Sequence, residues 1–427
     1  MVRNIINTFF TRIFASAANL LIAIIISNVY GAAVKGEQGL ILTTITLVTL
    51  LTAIIGSGSL IYLTPRMNTK HLLGPSYLWN FLVCCLVFVI LRQTEILPEE
   101  FIIHTIILTF ILTLTHIHTG LLIGTEKIKQ SNLAFLLNNV IVLLSLLVFV
   151  FVIRIKTVYA YIYSLYIGYI VHLIVSIIMV TAGWRSTFGK IQVEKSTFLE
   201  GIKNLLRYGF LNQLDVIAQM MSFRLSYYFI SYYISKSAVG IYSNAISIVE
   251  SLWLVSRSIA MVQNARIANS SDMNYSVSIT VNLLKVSFIL VLLAVFVLVL
   301  IPAGFYQFIF GDEFGDVRIV ILFLSPGVLL FSASFILSSL FAGTGKYQYN
   351  TVASIVGLIV TVLLALVLIP RFGLIGAGMT ASLSYMVTVG VKIYIFLTRY
   401  GLSAKDFMIR RSDFRYFVET LRDRNLS

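Results

Sequence analysis

Arg12, Arg224 and Lys285 lie inside long apolar runs, as do the carboxylates Asp215 and Glu250 and the imidazole of His116. A guanidinium or ammonium held away from bulk water is suited to gripping an anion such as a phosphate. A carboxylate or imidazole in the same setting is suited to gaining and losing a proton, so Asp215, Glu250 and His116 are candidates for coupling an ion to a conformational change. An arginine at the centre of a membrane helix costs at least about 2.5–3.5 kcal/mol. Arg12 and Arg224 are therefore expected to face either an aqueous cavity with an anion or an internal partner. Arg224 is about 25 Å along a helix from Arg207, too deep to reach water easily. Asp215 is nine residues from Arg224 and on the opposite helix face, so the two are not a local pair. Glu250 shares a face with Arg257, and a structural pair accounts for it equally well. Lys285 shares a face with Ser278 and Asn282 and is a third cation, whereas Lys392, near the inner end of the last apolar run, reads as an interfacial anchor.

These residues sit on polar stripes. Asn4, Thr8, Arg12, Ser16 and Asn19 recur at helical spacing, and Asn212, Asp215, Gln219, Ser222 and Ser226 do the same. Lipid cannot satisfy such a face, so it lines either partner helices, through interhelical hydrogen bonds, or a wet cavity. Asn19, Asn212 and Gln219 are the expected uncharged cavity-lining members. Thr105, Thr109, Thr113 and His116 form a third stripe, on which the histidine can equally be a satisfied hydrogen-bonder. Tyr159, Tyr163, Tyr166 and Tyr169 on one helix, and Tyr227, Tyr228, Tyr232 and Tyr233 on another, could stack on sugar rings or anchor the membrane interface.

The elements that hold these stripes must be membrane helices. Hydrophobic residues make up 59% of the 427 and charged residues 11%, with a mean hydropathy of +0.95; a soluble domain carries about 25% charged residues. Apolar stretches fall near 5–30, 40–64, 76–91, 101–123, 132–153, 158–182, 208–235, 238–262, 277–301, 318–342, 350–369 and 373–398. The expected fold class is an all-α polytopic membrane protein of about twelve transmembrane helices. Polar residues at the start of the first stretch mark it as retained, not as a cleaved signal. Cys84 and Cys85 are neighbours in the third and read as packing residues.

The net charge of +14 follows from sidedness. With the N-terminus inside, 20 lysines and arginines fall on the inner side against 7 outside, among them Lys35, and 4 lie within spans. Both termini are then cytoplasmic. The basic residues are scattered over short loops, which argues against nucleic acid as a partner. The longest polar interruption divides the chain into an N-terminal lobe of six helices (1–183), a cytoplasmic linker (184–207), a C-terminal lobe of six helices (208–398) and a basic cytoplasmic tail (399–427).

No catalytic group, cofactor or metal site is expected. Gly343, Thr344, Gly345 and Lys346 look like the end of a phosphate-binding loop, but position 340 is Leu where the nucleotide motif needs Gly. Neither a nucleophile motif nor clustered metal ligands stand on an accessible loop. The outer connections are too short for a typical membrane glycan polymerase or ligase.

The run from Asp215 to Ala245, ending in AVGIYSNA, and the run from Gly343 through YNTVASIVGLIVTVLLALVLIPRFGLIGAGMTASLSY resemble the polysaccharide-transport flippases. These include the O-antigen translocases of the multidrug, oligosaccharidyl-lipid and polysaccharide exporter superfamily. The resemblance implies two six-helix bundles forming a V around a central cavity that opens alternately to either side. It also implies a lipid-linked oligosaccharide of the undecaprenyl-diphosphate type as substrate, a bacterial cytoplasmic membrane as location, and other glycan-assembly membrane proteins as partners. A cation-coupled drug exporter of the same superfamily is the nearest alternative; the first half has no carboxylate within its spans, which departs from many such exporters. Peptidoglycan-precursor flippases typically have more spans and more cavity arginines.

Overall fold

At 1.5 Å per residue, about 20 residues of helix cross the 30 Å hydrocarbon layer, so a much longer helix must fold back or leave the membrane. The computed structural model describes residues 2–94, 96–183, 198–268 and 272–402; side chains are described from Phe10 on, apart from those of residues 183, 198, 207, 208, 211, 212, 265 and 268. Helix α1 (Val2–Thr52) has 51 residues and α12 (Gln348–Tyr400) has 53. Each doubles as two spans. The first is interrupted at Gly31 (φ 78°, ψ −176°) and the second at Gly373 (φ 58°, ψ −131°), backbone conformations that glycine adopts without penalty.

The other helices are α2 (Ser57–Leu63), α3 (Thr69–Thr94), α4 (Glu99–Gly124), α5 (Ile128–Leu147), α6 (Tyr159–Gly183), α7 (Phe198–Tyr233), α8 (Lys236–Ala268), α9 (Met273–Leu300), α10 (Ala303–Phe310) and α11 (Val317–Gly343). No strand occurs among the described residues. Among the described residues, nine helical stretches are long and apolar enough to cross a membrane. Counting the two folded ones as pairs and adding α7, long but more polar, brings the spans to twelve. The second span is itself broken, by a 3₁₀ turn at Ala53–Ile55 and then Gly56, before α2.

Two expectations are corrected here. No loop separates the first two spans: helix resumes at Ala32, so Lys35 is not an outer-loop residue but is 4% exposed, its Nζ donating to Gln38 Oε1 at 2.6 Å. Helix α7 begins at Phe198, inside the expected linker, whose residues 184–197 lie outside the described ones. The expected tail lies outside them from residue 403.

The chain forms two compact units. The first contains the residues up to Ser243 together with Gln307–Phe314. Its core includes Leu60, Leu72, Leu121, Leu122 and Leu205. Helix α7 packs here, against α1, α2 and α3. The folded helix α1 restarts at Ala32 with an unpaired N–H, as every helix start does, and Glu313 Oε2 accepts it at 2.7 Å. Asn28 Nδ2 donates to the Ile309 carbonyl nearby. A Cβ on Gly36 would sit 1.8 Å from the Lys236 carbonyl oxygen, and one on Gly240 2.1 Å from that of Ala32, so α1 and the start of α8 meet backbone to backbone. Lys236 Nζ pairs with Glu37 Oε1 at 2.8 Å beside this crossing.

The second unit contains Asn244–Tyr306 and the chain from Gly315 on. Its centre is Trp253, fully buried among Phe331, Phe335 and Tyr385 with its indole N–H donating to the Val328 carbonyl at 3.0 Å. A second cluster gathers Ile336, Leu337, Leu340, Phe341 and Phe396 from α11 and α12.

Candidate functional site

On the first span of α1 the polar stripe is described from Arg12 on, and its members there are not packed away. Arg12 and Asn19 are exposed and Ser16 is half-buried, while Ala15, Ala18 and Ile22 are buried on the packed side. The Arg12 guanidinium stands over the ring of Phe135 on α5, 4.4 Å from its centroid. Cation–π contact of this kind stabilises a guanidinium by about 0.5–2 kcal/mol while leaving its in-plane N–H donors available. No carboxylate pairs with Arg12 among the described residues. Within α1 to α6 the described acidic residues are Glu37, paired with Lys236, and Glu99, Glu100 and Glu126, which lie at helix ends. A guanidinium held over an aromatic ring, with no carboxylate partner among the described residues, has the donor geometry that matches the oxygens of an anion.

The other site residues separate by unit. Arg224, Asp215 and Gln219 are half-buried on α7 in the first unit, with the Arg224 guanidinium 5.7 Å from the Tyr227 ring centroid. The side chain of Asn212 lies outside the described ones. His116 is half-buried on α4. Glu250 and Lys285 belong to the second unit. Glu250 is half-buried, the Arg257 guanidinium lies 5.0 Å from the Phe335 ring centroid, and Lys285 is 8% exposed.

Lys392 corrects the sequence reading most sharply. Expected at the interface, it is wholly buried, its Nζ donating to Ser334 Oγ at 2.8 Å and Ser338 Oγ at 2.6 Å on α11. The tyrosines also divide. Tyr169 and Tyr227 are packed inside, Tyr228 bonds Thr44 at 2.8 Å, and Tyr232 is 82% exposed.

Sequence reasoning passed over Phe135, whose role depends on a helix four spans away from Arg12. It also passed over His118 and His172, although a count was available: four of the five histidines lie on α4 and α6, at positions 104, 116, 118 and 172.

The fold is that of the MOP-superfamily transporters. The chain superposes on the inward-facing conformation of a multidrug resistance MATE family transporter of that superfamily with a TM-score of 0.73, at 15% identity, covering 90% of this chain and 94% of that one. The lipid II flippase MurJ in an inward closed conformation also matches with a TM-score of 0.73, at 14% identity, covering 95% of this chain and 89% of that one. By sequence, a stretch of 91 residues is 32% identical to the capsular polysaccharide biosynthesis protein CapF of Staphylococcus aureus, which is 21% of this chain and 23% of that protein. No family model matches. The structural neighbours are transporters and flippases, and this chain is a multi-pass membrane protein of their fold.

Proposed function

We propose that this protein is a flippase that carries an isoprenoid-diphosphate-linked oligosaccharide from the inner to the outer leaflet of a bacterial cytoplasmic membrane by alternating access. The observation that carries this reading is Arg12, exposed on the polar stripe of α1, braced by Phe135 and without a carboxylate partner among the described residues. A diphosphate cannot cross hydrocarbon unaided, and a guanidinium fork is the side chain that matches its oxygens. Arg224 is a second cation of the same unit, and Asn19 and Gln219 offer amide groups to glycan hydroxyls. The stretch similar to a capsular polysaccharide biosynthesis protein supports a glycan as cargo. On this reading both termini are cytoplasmic, and the membrane partners are the enzymes that build and polymerise the glycan.

The fold shared with a multidrug transporter keeps drug export as the second reading. One experiment separates them. The gene is deleted in its host, lipids are extracted, and isoprenoid-linked glycans are identified by mass spectrometry. A completed repeat unit accumulating on the inner leaflet, relieved by the wild-type chain and not by Arg12→Ala at equal abundance, is the expected result. No accumulation, together with altered tolerance of toxic organic cations, would replace the flippase with an exporter.

A further inference from the structure

Lys346 ends the Gly-Thr-Gly-Lys turn that joins α11 to α12. Its ammonium stands 5.1 Å from the centroid of the Tyr400 ring and has no carboxylate partner among the described residues. Arg399, one residue before Tyr400, is likewise without one among them, its guanidinium 5.9 Å from the Tyr349 ring centroid. Two cations of one sign therefore stand at the end of α12.

Tyr400 is also part of the wall of a cavity of about 360 Å³ in the second unit, open on one side. Helix α11 packs against both α9 and α12, and the cavity lies between the start of the one and the end of the other. Along α9 its wall has two adjacent rows. Asn274, Ser278 and Asn282 recur every four residues over about 12 Å of helix, passing from exposed at the rim to half-buried within. Val277 and Val281 run beside them. The side chains of the three polar residues make no hydrogen bond to the described residues, and the Tyr400 hydroxyl is buried without a partner there. Asp272, the carboxylate closest in sequence, caps α9 by accepting from the N–H groups of Asn274 and Tyr275 at 2.8 and 3.3 Å.

Buried polar groups in folded proteins are satisfied, so these donors call for a ligand with oxygen acceptors. The cations beside them call for a negative charge on it, and the valine row for an apolar part. The ends of membrane helices lie at the bilayer surface, where the molecule that unites those three properties is a lipid. We propose that this cavity holds one anionic phospholipid of the inner leaflet. Lys346 takes the phosphate charge, the Tyr400 hydroxyl and the Asn274 amide donate to headgroup oxygens, Asn282 donates to an ester carbonyl deeper in, and Val277 and Val281 bear the first carbons of an acyl chain. The site is separate from Arg12, which belongs to the first unit, and stands independently of the cargo.

The test uses the full chain in phosphatidylcholine nanodiscs, in a Cys84→Ser, Cys85→Ser background with bimane on Tyr275→Cys, exposed beside the rim. Quenching is measured against the mole fraction of phosphatidylglycerol or phosphatidylcholine carrying a doxyl group near the top of one acyl chain. Phosphatidylglycerol is expected to reach half-quenching at about fivefold lower mole fraction, the preference one ammonium gives near a membrane surface. Lys346→Gln should abolish the preference, and Asn282→Val should raise the half-quenching fraction of phosphatidylglycerol. Neither side chain is hydrogen-bonded to the described residues, so both variants should fold, as size-exclusion profiles will show. Lys129→Gln, which alters an exposed lysine of the first unit, should leave the preference intact. Equal quenching by the two lipids, or a preference that survives Lys346→Gln, would overturn the site. So would a preference that falls as much with Lys129→Gln, which would mean diffuse surface charge. Relief of quenching by millimolar glycerol phosphate would overturn it in favour of a soluble phosphate ligand.

Discussion

Arg12 offers the clearest test at the scale of one side chain, because its two neighbours make different demands on it. Arg12→Lys keeps the charge but loses the planar stack on Phe135 and the two-pronged fork. Glycan export in the complemented deletion strain is expected to fall several-fold with Arg12→Lys and at least tenfold with Arg12→Ala, membrane abundance being unchanged by immunoblot. Lys392 demands the opposite analysis. Its ammonium is bound to two serines inside the second unit, so Lys392→Ala leaves both a hole and stranded hydroxyls, whereas Lys392→Met fills the volume. Thermal unfolding in detergent should show Lys392→Ala as the less stable of the two by about 1–3 kcal/mol. The contrast also marks what a sequence discloses about single residues. An arginine deep in an apolar run stands out by its own cost, and Arg12 was found that way. Lys392 was misread because snorkelling considers only a residue's own helix, and the serines that hold it belong to α11.

At the scale of elements, the apolar runs revealed the membrane helices, since length and hydropathy are local properties. The turns between them were less visible. A gap was expected around Lys35 because two spans normally need a loop, yet Gly31 reverses the chain within one residue and Glu313, some 280 residues away, caps the restarted helix. No local pattern announces a partner that distant. The crossing of α1 and α8 at Gly36 and Gly240 leaves no room for a methyl group. Gly36→Ala is therefore expected to lower stability by about 1–3 kcal/mol, the usual range for over-packing, read as a lower melting temperature and reduced membrane yield. The helix break near Gly56 was likewise hidden, since Ala53, Ile54 and Ile55 continue the apolar run without interruption.

At the scale of the molecule, the distribution of lysine and arginine predicts sidedness that labelling can check. In a Cys84→Ser, Cys85→Ser background, a cysteine at exposed Asp312 should react with a membrane-impermeant maleimide on intact cells. One at exposed Glu126 should react only after permeabilisation. The reverse pattern would invert the topology and with it the direction of transport assigned to Arg12. Fold class was legible at this scale because composition alone excludes every soluble architecture. The assignment of α7 to a packing partner was not, because a polar interruption in sequence says where a chain is wet and not which helices it later joins.

That packing has a practical outcome for anyone cutting the gene in two. Helix α7 and the segment Gln307–Phe314 lie after residues 184–197 in sequence, yet both belong to the unit built mainly from the residues before them. A gene split between codons 184 and 197 would yield one polypeptide lacking part of its unit and another carrying the missing pieces. The two should find each other during synthesis and co-purify on a tag placed on either, a non-covalent complementation that would make each half separately accessible to isotope labelling.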